Sequence, residues 1–426
     1  MREHSVLGQV ALGYSPMVDR RRDVVATRLT LFPDKPDALS GAADAAALIA
    51  ALEDVWPRPQ TTPSGRPVRP LDPVAGTTGS TKTPGTERPV ALNIAGEGLL
   101  QAVLAARPPG QFLIEVPAFM AGDPAQAEAL KALHGAGSVL LIKGRPTKPL
   151  APEVLACFSH SLVDSGEDRR ADAGPGAGVR KVTTVQTGVR TAAEAEQAFQ
   201  RGAVAVLGWT LDEGVVKGDP KRPVPADVTV VMDLIRGVDR EEPVNKLEAM
   251  LKREPTIAFR LLRYLNSPAF GLSVEVNSFA HAVMLLGHQR LKRWLALLLA
   301  SSSNDPGARV TMHAAVRRGL FMEELARPHG DTEMMGEMFI CGIFSLLDRL
   351  LRQPVAQLLE GVPVPERVRL ALLGESGPYH PYLQLVQAVE QEAVFDIREA
   401  AERLMLQPLE VNAALLAALK NARQVD

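Results

Sequence analysis

The feature that most constrains the fold is an alternation of short apolar runs with helical stretches across residues 8–212. Continuous apolar strands that alternate with helices predict a parallel sheet covered by helices. With this many repeats, a closed α/β barrel is favoured over an open sheet. The predicted strands span residues 10–14, 24–32, 90–94, 112–116, 139–142, 161–163, 182–186 and 204–207, and the predicted helices span 38–55, 98–107, 124–134 and 192–201.

The pattern changes after Pro225, where strand signals almost vanish and apolar residues recur at helical spacing. A chain of 426 residues is also too long for one ordinary core. We therefore predict a barrel domain over residues 1–212, a linker over 213–227 and an all-α domain over 228–426. The predicted helices of the second domain span residues 228–235, 244–252, 255–265, 279–285, 289–301 and 311–325.

Residues 57–89 are dense in proline, threonine and glycine and show no apolar periodicity. Such a segment cannot bury enough apolar surface to fold, so we predict a disordered insertion in the first domain. Its role, as a tether or as a site of modification, stays open because composition does not separate the two.

The charge balance gives no argument for binding nucleic acid or an anionic membrane. The 47 basic and 49 acidic residues leave a net charge of −2, and aromatic residues make up only 4%. The longest apolar run near a helix, residues 295–300, is far shorter than the ~20 residues needed to span a bilayer. We predict neither nucleic-acid binding nor membrane insertion.

The two cysteines, Cys157 and Cys341, lie far apart and lack the CxxC spacing of a zinc or redox site. A disulfide framework is not expected, and a cytoplasmic location fits this cysteine usage. The apolar neighbours of Cys341 indicate a buried, inert thiol. The first residues lack a basic start followed by a long apolar run, so no signal peptide is expected.

Four stretches of the first domain carry a family resemblance across residues 8–212. The opening YSPMVDRRRDVVATRLTLF, the strands ALNIAG and FLIEVP, and the closing unit VQTGVRTAAEAEQAFQRGAVAVLGW resemble the EAL domain. That family is a (β/α) barrel with cyclic-di-GMP phosphodiesterase activity. The resemblance implies two hard divalent ions held by carboxylate and amide oxygens.

The second domain resembles the HDOD domain, an HD-related helical bundle that lacks the metal site of HD phosphohydrolases. The stretches that carry this resemblance are LLRYLNSPAFGL and AVMLLGHQRLKRWL, and FICGIFSLLDRLL is typical of HDOD domains that follow a degenerate EAL domain. The resemblance implies a bacterial two-domain EAL–HDOD signalling protein. In the first of these stretches, Asn266-Ser267-Pro268 is most simply a helix C-cap.

The residues at the EAL-matched positions argue against catalysis. Asn93 and Glu115 keep ligand chemistry, but the other matched positions do not. The signature glutamate falls on Arg28, the adjacent aspartate pair falls on Ile142 and Lys143, the lysine falls on Leu162, and the later glutamates fall on Thr187 and Arg190. We therefore predict no catalytic residues, no metal and no cofactor in the barrel.

Several roles stay open for the residues that remain. Asn93 and Glu115 are either ordinary polar residues at strand ends or a residual ligand site. Arg28 and Lys143, if both point into the barrel mouth, either form salt bridges with Glu115 or hold an anionic ligand such as a nucleotide. The sequence favours the salt bridges.

The HD-matched phrase GIFSLLD places Ser345 and Leu346 where an HD hydrolase has its histidine and aspartate. Neither residue suits a metal ion. The histidines of this domain also lack HxxxH or HD spacing, which excludes the usual paired-ligand patterns. They are His281, His288, His313, His329 and His380.

A short basic cluster follows Gly287 and consists of His288, Arg290, Lys292 and Arg293. It is either a solvated helix face or a docking surface for an acidic partner. Trp294 beside it is expected in the core, because leucines flank it on the same helix.

Together these features predict a catalytically inactive cytoplasmic scaffold that binds protein partners in cyclic-di-GMP-linked bacterial signalling. The alternative is a receptor that binds cyclic-di-GMP or another nucleotide without cleaving it. A residual phosphodiesterase is the least favoured hypothesis. The identity of the partners and the oligomeric state, including a homodimer, stay open.

Overall fold

The computed structural model describes residues 5–35, 39–57, 88–146, 148–167, 182–211, 226–251, 279–300, 308–361 and 364–425. Most of the predicted insertion and of the predicted linker lie outside these residues. The predicted helix at 255–265 and the predicted Asn266-Ser267-Pro268 cap also lie outside them.

Eight strands close into one barrel in sequence order, which confirms the predicted closed barrel. Strands β2 to β8 pair in parallel, each with its neighbour in sequence. The strands are β1 Val10–Asp19, β2 Val24–Pro33, β3 Val90–Ile94, β4 Phe112–Pro117, β5 Val139–Lys143, β6 Phe158–Asp164, β7 Thr183–Thr187 and β8 Ala205–Leu207.

Strand β1 runs antiparallel to both β2 and β8, so the prediction of a parallel sheet is wrong for this strand. The residues between β1 and β2 are too few for the crossover that parallel neighbours require. The turn is tight: the backbone N–H of Arg22 donates to the backbone oxygen of Asp19 at 3.0 Å, and Arg22 adopts the left-handed backbone region with φ of 64°. The Asp19 carboxylate accepts hydrogen bonds from the backbone N–H groups of Arg21 and Asp23, both at 2.9 Å.

The connections of the barrel carry short helices with recognisable start signals. Asp123 caps one helix by accepting a hydrogen bond from the backbone N–H of Ala125 at 3.0 Å, and Thr191 and Glu194 form a capping box at another. The helices are α1 Ala42–Glu53, α2 Glu97–Ala105, α3 Ala118–Ala121, α4 Pro124–Gly135, α5 Pro152–Leu155 and α6 Ala192–Gln200, with a 3₁₀ turn at Ser5–Gln9.

A layer of apolar side chains fills the barrel interior, with at least one residue from every strand. Because the strands close on themselves, a cluster of this composition lies inside the barrel. This apolar layer consists of Met17, Ala26, Ala91, Leu113, Leu141, Leu162, Val185, Ala205 and Leu207.

The described residues from 226 onward contain helices and no strand, as predicted for the second domain. Helix α9 is interrupted at Gly287, whose φ of 69° and ψ of 169° are not helical. The helices are α7 Ala226–Asp239, α8 Val244–Leu251, α9 Phe279–Ala300, α10 Ala308–Ala326, α11 Thr332–Phe344, α12 Leu347–Leu351, α13 Val355–Gly361, α14 Glu366–Leu372, α15 His380–Glu390, α16 Val394–Arg403 and α17 Pro408–Val425, with a 3₁₀ turn at Arg327–His329.

Helices α10 and α11 approach each other closely at two glycines. A Cβ atom on Gly342 would lie 2.6 Å from the backbone oxygen of Arg318, and one on Gly319 would lie 2.9 Å from the backbone oxygen of Phe339. Larger residues at either glycine would push the helices apart. The crossing brings Arg318 close to the end of α11, next to the HD-matched positions.

The chain forms two compact units. The first contains Met1–Glu213 and Gln387–Ala413, and the second contains Gly214–Val386 and Ala414–Asp426. The segment Gln387–Ala413, near the end of the chain, is therefore grouped with the barrel residues. The domain boundaries at 212 and 228 stay predictions from sequence. Among the residues described, no helix is both long enough and apolar enough to cross a membrane.

Candidate functional site

A layer of polar side chains lies inside the barrel next to the apolar layer. Side chains alternate between the two faces of a strand, so residues two positions beyond the apolar layer also face inward. These positions lie toward the C-terminal ends of the parallel strands, where barrels of this kind carry their active sites. This polar layer consists of Ser15, Arg28, Asn93, Glu115, Lys143, Asp164 and Thr187.

Arg28 and Glu115 form a two-point ion pair in the polar layer. The Nε of Arg28 donates to Oε1 of Glu115 at 2.7 Å, and its Nη2 donates to Oε2 at 2.8 Å. The side chain of Glu115 is 0% exposed and that of Arg28 is 11% exposed. Burial would lower the pKa of Arg28, but the charges of Glu115 and Glu392 outweigh it and raise the pKa. The guanidinium is therefore charged at every physiological pH.

Glu392 is the third charged group of this cluster, and sequence analysis missed it. Its carboxylate accepts hydrogen bonds from Arg28 Nη1 at 3.2 Å, from Ser15 Oγ at 2.7 Å and from Thr30 Oγ1 at 2.8 Å. Glu392 follows helix α15 and lies 364 positions from Arg28. No local sequence pattern links residues so far apart, so only the folded chain reveals the contact.

Lys143 and Asn93 extend the network beyond Thr30. The Nζ of Lys143 donates to Oδ1 of Asn93 at 2.8 Å, and Nδ2 of Asn93 donates to Oγ1 of Thr30 at 3.2 Å. Burial is the main cause that lowers the pKa of Lys143, while the negative charge of Glu115 opposes it and Arg28 adds to it. The structure thus joins four EAL-matched residues, Arg28, Asn93, Glu115 and Lys143, into one polar network.

Two other EAL-matched residues lie apart from this network. Leu162 is 1% exposed and belongs to the apolar layer, one step below the others. Thr187 ends β7 and is the register partner of Asp164. Asp164 lies in the polar layer on β6, and its carboxylate accepts a hydrogen bond from the backbone N–H of Gly166 at 2.8 Å. The sequence resemblance matched the family's lysine to Leu162, and it gave Asp164 no role.

The HD-matched residues lie at the end of helix α11, in an apolar setting. The Oγ of Ser345 donates to the backbone oxygen of Gly342 at 2.7 Å and accepts from Nη1 of Arg318 at 3.0 Å. Leu346 is 1% exposed. Nearby, burial raises the pKa of the Cys341 thiol to about 12, so this cysteine stays protonated at neutral pH.

Three histidines of the helical region, His313, His329 and His380, have different surroundings. His313 is buried on α10, Nε2 of His329 lies 3.4 Å from the hydroxyl of Tyr382, and Nδ1 of His380 lies 3.5 Å from the backbone oxygen of Ala371. Within the described ranges, no three His, Cys, Asp or Glu side chains gather into a group that could hold a metal ion.

The predicted basic cluster on α9 is divided between bound and exposed side chains. Lys292 forms an ion pair with Asp239. Arg293 donates to Glu323 at 2.6 Å, and its guanidinium lies 3.8 Å from the centre of the Phe339 ring. His288 is half-buried and Arg290 is exposed. The structure therefore leaves Arg290 as the most accessible cation of the four.

A comparison with protein families matches residues 224–357 to the HDOD domain. The match covers the first part of the helical region and includes the basic cluster and both HD-matched residues. The predicted fold class, a closed α/β barrel followed by an HD-related helical region, is confirmed by the strand topology and this match.

Two curated bacterial proteins are similar to half of this chain. The cyclic-di-GMP phosphodiesterase CdgJ of Vibrio cholerae is 27% identical over 228 residues, which cover 50% of this chain and 52% of CdgJ. The uncharacterized protein YuxH of Bacillus subtilis is 27% identical over 219 residues, with the same coverage. The chain therefore matches about half the length of each relative.

Two solved structures resemble this chain over 48% of its length. One is the PaMucR phosphodiesterase in complex with cyclic-di-GMP, at 17% identity, with 96% of that chain covered and a TM-score of 0.30. The other is the EAL-like domain protein YdiV, at 10% identity, with 92% covered and a TM-score of 0.29. Scores this low carry no argument about function.

Proposed function

We propose that this chain is a non-hydrolysing signalling protein of a cyclic-di-GMP-linked bacterial pathway, and that it acts by binding other proteins. The observation that carries the proposal is the two-point ion pair between Arg28 and Glu115. The similarity to CdgJ, which is named as a cyclic-di-GMP phosphodiesterase, supports the pathway. A cytoplasmic location and a homodimer stay predictions.

The polar layer does not fit the pair of divalent ions that the EAL resemblance implies. Hard divalent ions require oxygen ligands that are free to bind them. Both oxygens of Glu115 accept hydrogen bonds from Arg28, and Oδ1 of Asn93 accepts one from Lys143. An incoming ion would face two positive charges and would have to displace both from their partners. We therefore assign no hydrolytic step to the barrel.

The helical region offers no second catalytic centre at the HD-matched positions. The hydroxyl of Ser345 already donates to one backbone group and accepts from Arg318. Leu346 supplies no donor atom at all. Replacement of both ligand types by these side chains supports a binding role for this region rather than a metal-dependent one.

Hydrolysis of cyclic-di-GMP by the full chain in the presence of Mg²⁺ or Mn²⁺ tests the first half of the proposal. We expect no turnover above that of a blank, because the ligand oxygens are engaged by cations. An active EAL phosphodiesterase serves as the positive control. Turnover that is lost in a Glu115→Gln variant would contradict the proposal.

Affinity capture from the native host, with the full chain as bait, tests the proposal that this chain binds other proteins. A direct partner should be retained by wild type and by Lys420→Glu, which changes an exposed cation near the end of α17. It should be weakened by Arg290→Glu, which reverses the most accessible charge of the basic cluster. If Arg290→Glu and Lys420→Glu capture the partner equally well, the basic cluster does not contribute to the binding surface.

A receptor for cyclic-di-GMP or another nucleotide is the second candidate function. It is favoured by the two cations, Arg28 and Lys143, in the polar layer, since both could pair with phosphate. Titration calorimetry of the full chain with cyclic-di-GMP addresses it. Tight binding that is lost on Arg28→Ala would establish the receptor, and absence of heat change would favour the scaffold.

A further inference from the structure

The segment Gln387–Ala413 is held to the barrel by polar contacts at both of its ends and by a surface ion pair in its middle, where Arg398 donates to Asp34 at 3.0 Å. It contains the end of α15, all of α16 and the start of α17. Near its first end, Glu392 contacts Arg28. At its second end, the buried Asn412 side chain donates to the backbone oxygens of Leu7 and Val10 at 2.8 and 2.7 Å, and accepts from the N–H of Leu12 at 3.2 Å.

Glu392 is one of six described non-glycine residues with a positive φ. Its φ is 56°, in the left-handed region that glycine normally occupies after the end of a helix. A glutamate there costs roughly 1 kcal/mol more than the same residue in a favoured conformation. An observed outlier of this kind is a reason to look for function, and here the strained residue carries the carboxylate that reaches Arg28.

Gly13 on β1 makes the close approach of this segment to the barrel feasible. A Cβ atom on Gly13 would lie 3.0 Å from Cα and 3.0 Å from Cγ of Glu392. Gly13 lies in a regular strand, paired with Thr30 of β2, so its backbone tolerates alanine. An alanine at this position would press on Glu392 and leave every charge of the barrel unchanged.

The charges permit Glu392 to leave without stranding a buried ion. Glu115 is fully buried and keeps its two hydrogen bonds to Arg28, whereas the Glu392 side chain is 16% exposed and lies at the rim. The network contains two cations, Arg28 and Lys143, and two anions. Departure of Glu392 would leave a net charge of about +1 among Arg28, Lys143 and Glu115, and about 0 when Asp164 of the same layer is counted, so the freed donors and not the net charge would bind an anion. Asp164, also in the polar layer, is exposed to solvent.

We propose that residues 391–406 form an autoinhibitory cover over the barrel mouth, that Glu392 is its latch and that Asn412 is its fixed end. In the closed state, the carboxylate of Glu392 occupies the donors of Arg28, Ser15 and Thr30 that an anionic ligand would use. In the open state, these donors face solvent while the Arg28–Glu115 pair stays intact. This device is independent of whether the barrel hydrolyses anything.

Hydrogen–deuterium exchange of the full chain tests the cover with two variants that act differently. Glu392→Gln removes the charge and keeps the shape of the latch, and Gly13→Ala crowds it. Both should speed amide exchange in residues 391–406 by about tenfold, because a charge-assisted hydrogen bond is lost or displaced. Strands β3 to β5 should exchange as in wild type.

Glu399→Gln is the matched control on the same segment, since Glu399 pairs with Arg403 one helical turn away, at 2.9 Å, on an exposed face. This variant should leave exchange within twofold of wild type. Unchanged exchange in both Glu392→Gln and Gly13→Ala would overturn the proposal. Faster exchange spread equally over the barrel strands would overturn it too, because Glu392 would then be part of the fold and not a latch.

Discussion

The barrel mouth and the end of helix α11 both stand where a resemblance predicts metal ligands, but their residues differ in kind. In the barrel, two of the matched positions hold the cations Arg28 and Lys143, and the carboxylate of Glu115 is paired with Arg28. At the end of α11, the matched positions hold a hydroxyl and an apolar side chain. The first site is a layer of charged side chains inside the barrel, whereas the second is part of a helical core.

The difference teaches what each region can still do. Buried charges that are paired and hydrogen-bonded keep a site polar, and removal of one partner leaves the other charge uncompensated. A buried leucine only fills space, and its role is packing. The barrel is therefore expected to respond to changes of charge, and the end of α11 to loss of buried volume.

Breaking the charge pair should produce the largest effect. Glu115→Leu leaves Arg28 buried with only the rim contact to Glu392, and we expect a loss of about 3–5 kcal/mol in barrel stability. The loss is measured as the free energy of opening from hydrogen exchange of β4.

The double variant Arg28→Met with Glu115→Leu is the control for that loss. Because an apolar pair of similar volume can replace a buried ion pair at little cost, its stability should return close to that of wild type. A double variant as unstable as Glu115→Leu would show that the ion pair is not the cause.

The helical site should respond to lost volume instead. Leu346→Ala is expected to lower the stability of the helical region by about 3 kcal/mol, because the side chain is buried and a cavity would remain. Amide hydrogen exchange of α10 and α11 measures this loss of stability. Exchange of the barrel strands shows whether the loss is restricted to the helical region. A loss below about 1 kcal/mol would mean that Leu346 is not a core residue.

The polar contact at the same site should matter less. Ser345→Ala removes the hydrogen bonds to Gly342 and Arg318, and a loss of about 1 kcal/mol is expected. Ser345→Thr keeps the hydroxyl and serves as the matched control. If alanine and threonine behave alike, the hydroxyl contributes nothing to the helical core.

The smallest expected effect is a pH dependence of the free energy of unfolding that comes from Lys143, whose side chain is partly accessible. Because its pKa is lowered in the folded barrel, the unfolded chain binds this proton more tightly than the folded one. The free energy of unfolding should therefore rise with pH between the lowered pKa and the ordinary value of 10.5. The difference between wild type and Lys143→Met isolates this contribution, and a difference that falls with pH would contradict it.

Much of the barrel mouth could be predicted from the sequence, because its residues lie on strands with a clear period. Arg28, Asn93, Glu115 and Lys143 each sit two positions beyond an apolar residue that faces the interior. The strand register then brings Arg28 and Glu115 together, as the salt-bridge hypothesis required. The same hypothesis is wrong for Lys143, which donates to Asn93 instead of pairing with Glu115. Alternation within a strand is local information, and one sequence contains it.

The rest could not be predicted, for two physical reasons. Glu392 reaches Arg28 through tertiary packing across 364 positions, and no periodicity encodes a contact of that range. The antiparallel direction of β1 follows from the short turn around Arg22, whereas the alternation of strands and helices suggested a parallel sheet. The position matched to the family's lysine, Leu162, lies in the apolar layer, and the assignment itself stays a prediction.

Binding of Mn²⁺ to the full chain, followed by the electron paramagnetic resonance signal of the free ion, tests the central claim most directly. The claim is that an ion-pair network occupies the barrel mouth where metal ligands would lie. We expect the free Mn²⁺ signal to be unchanged by an equimolar amount of wild-type protein, and equally unchanged by Glu115→Gln. Stoichiometric loss of the signal with wild type, restored by Glu115→Gln, would contradict the account.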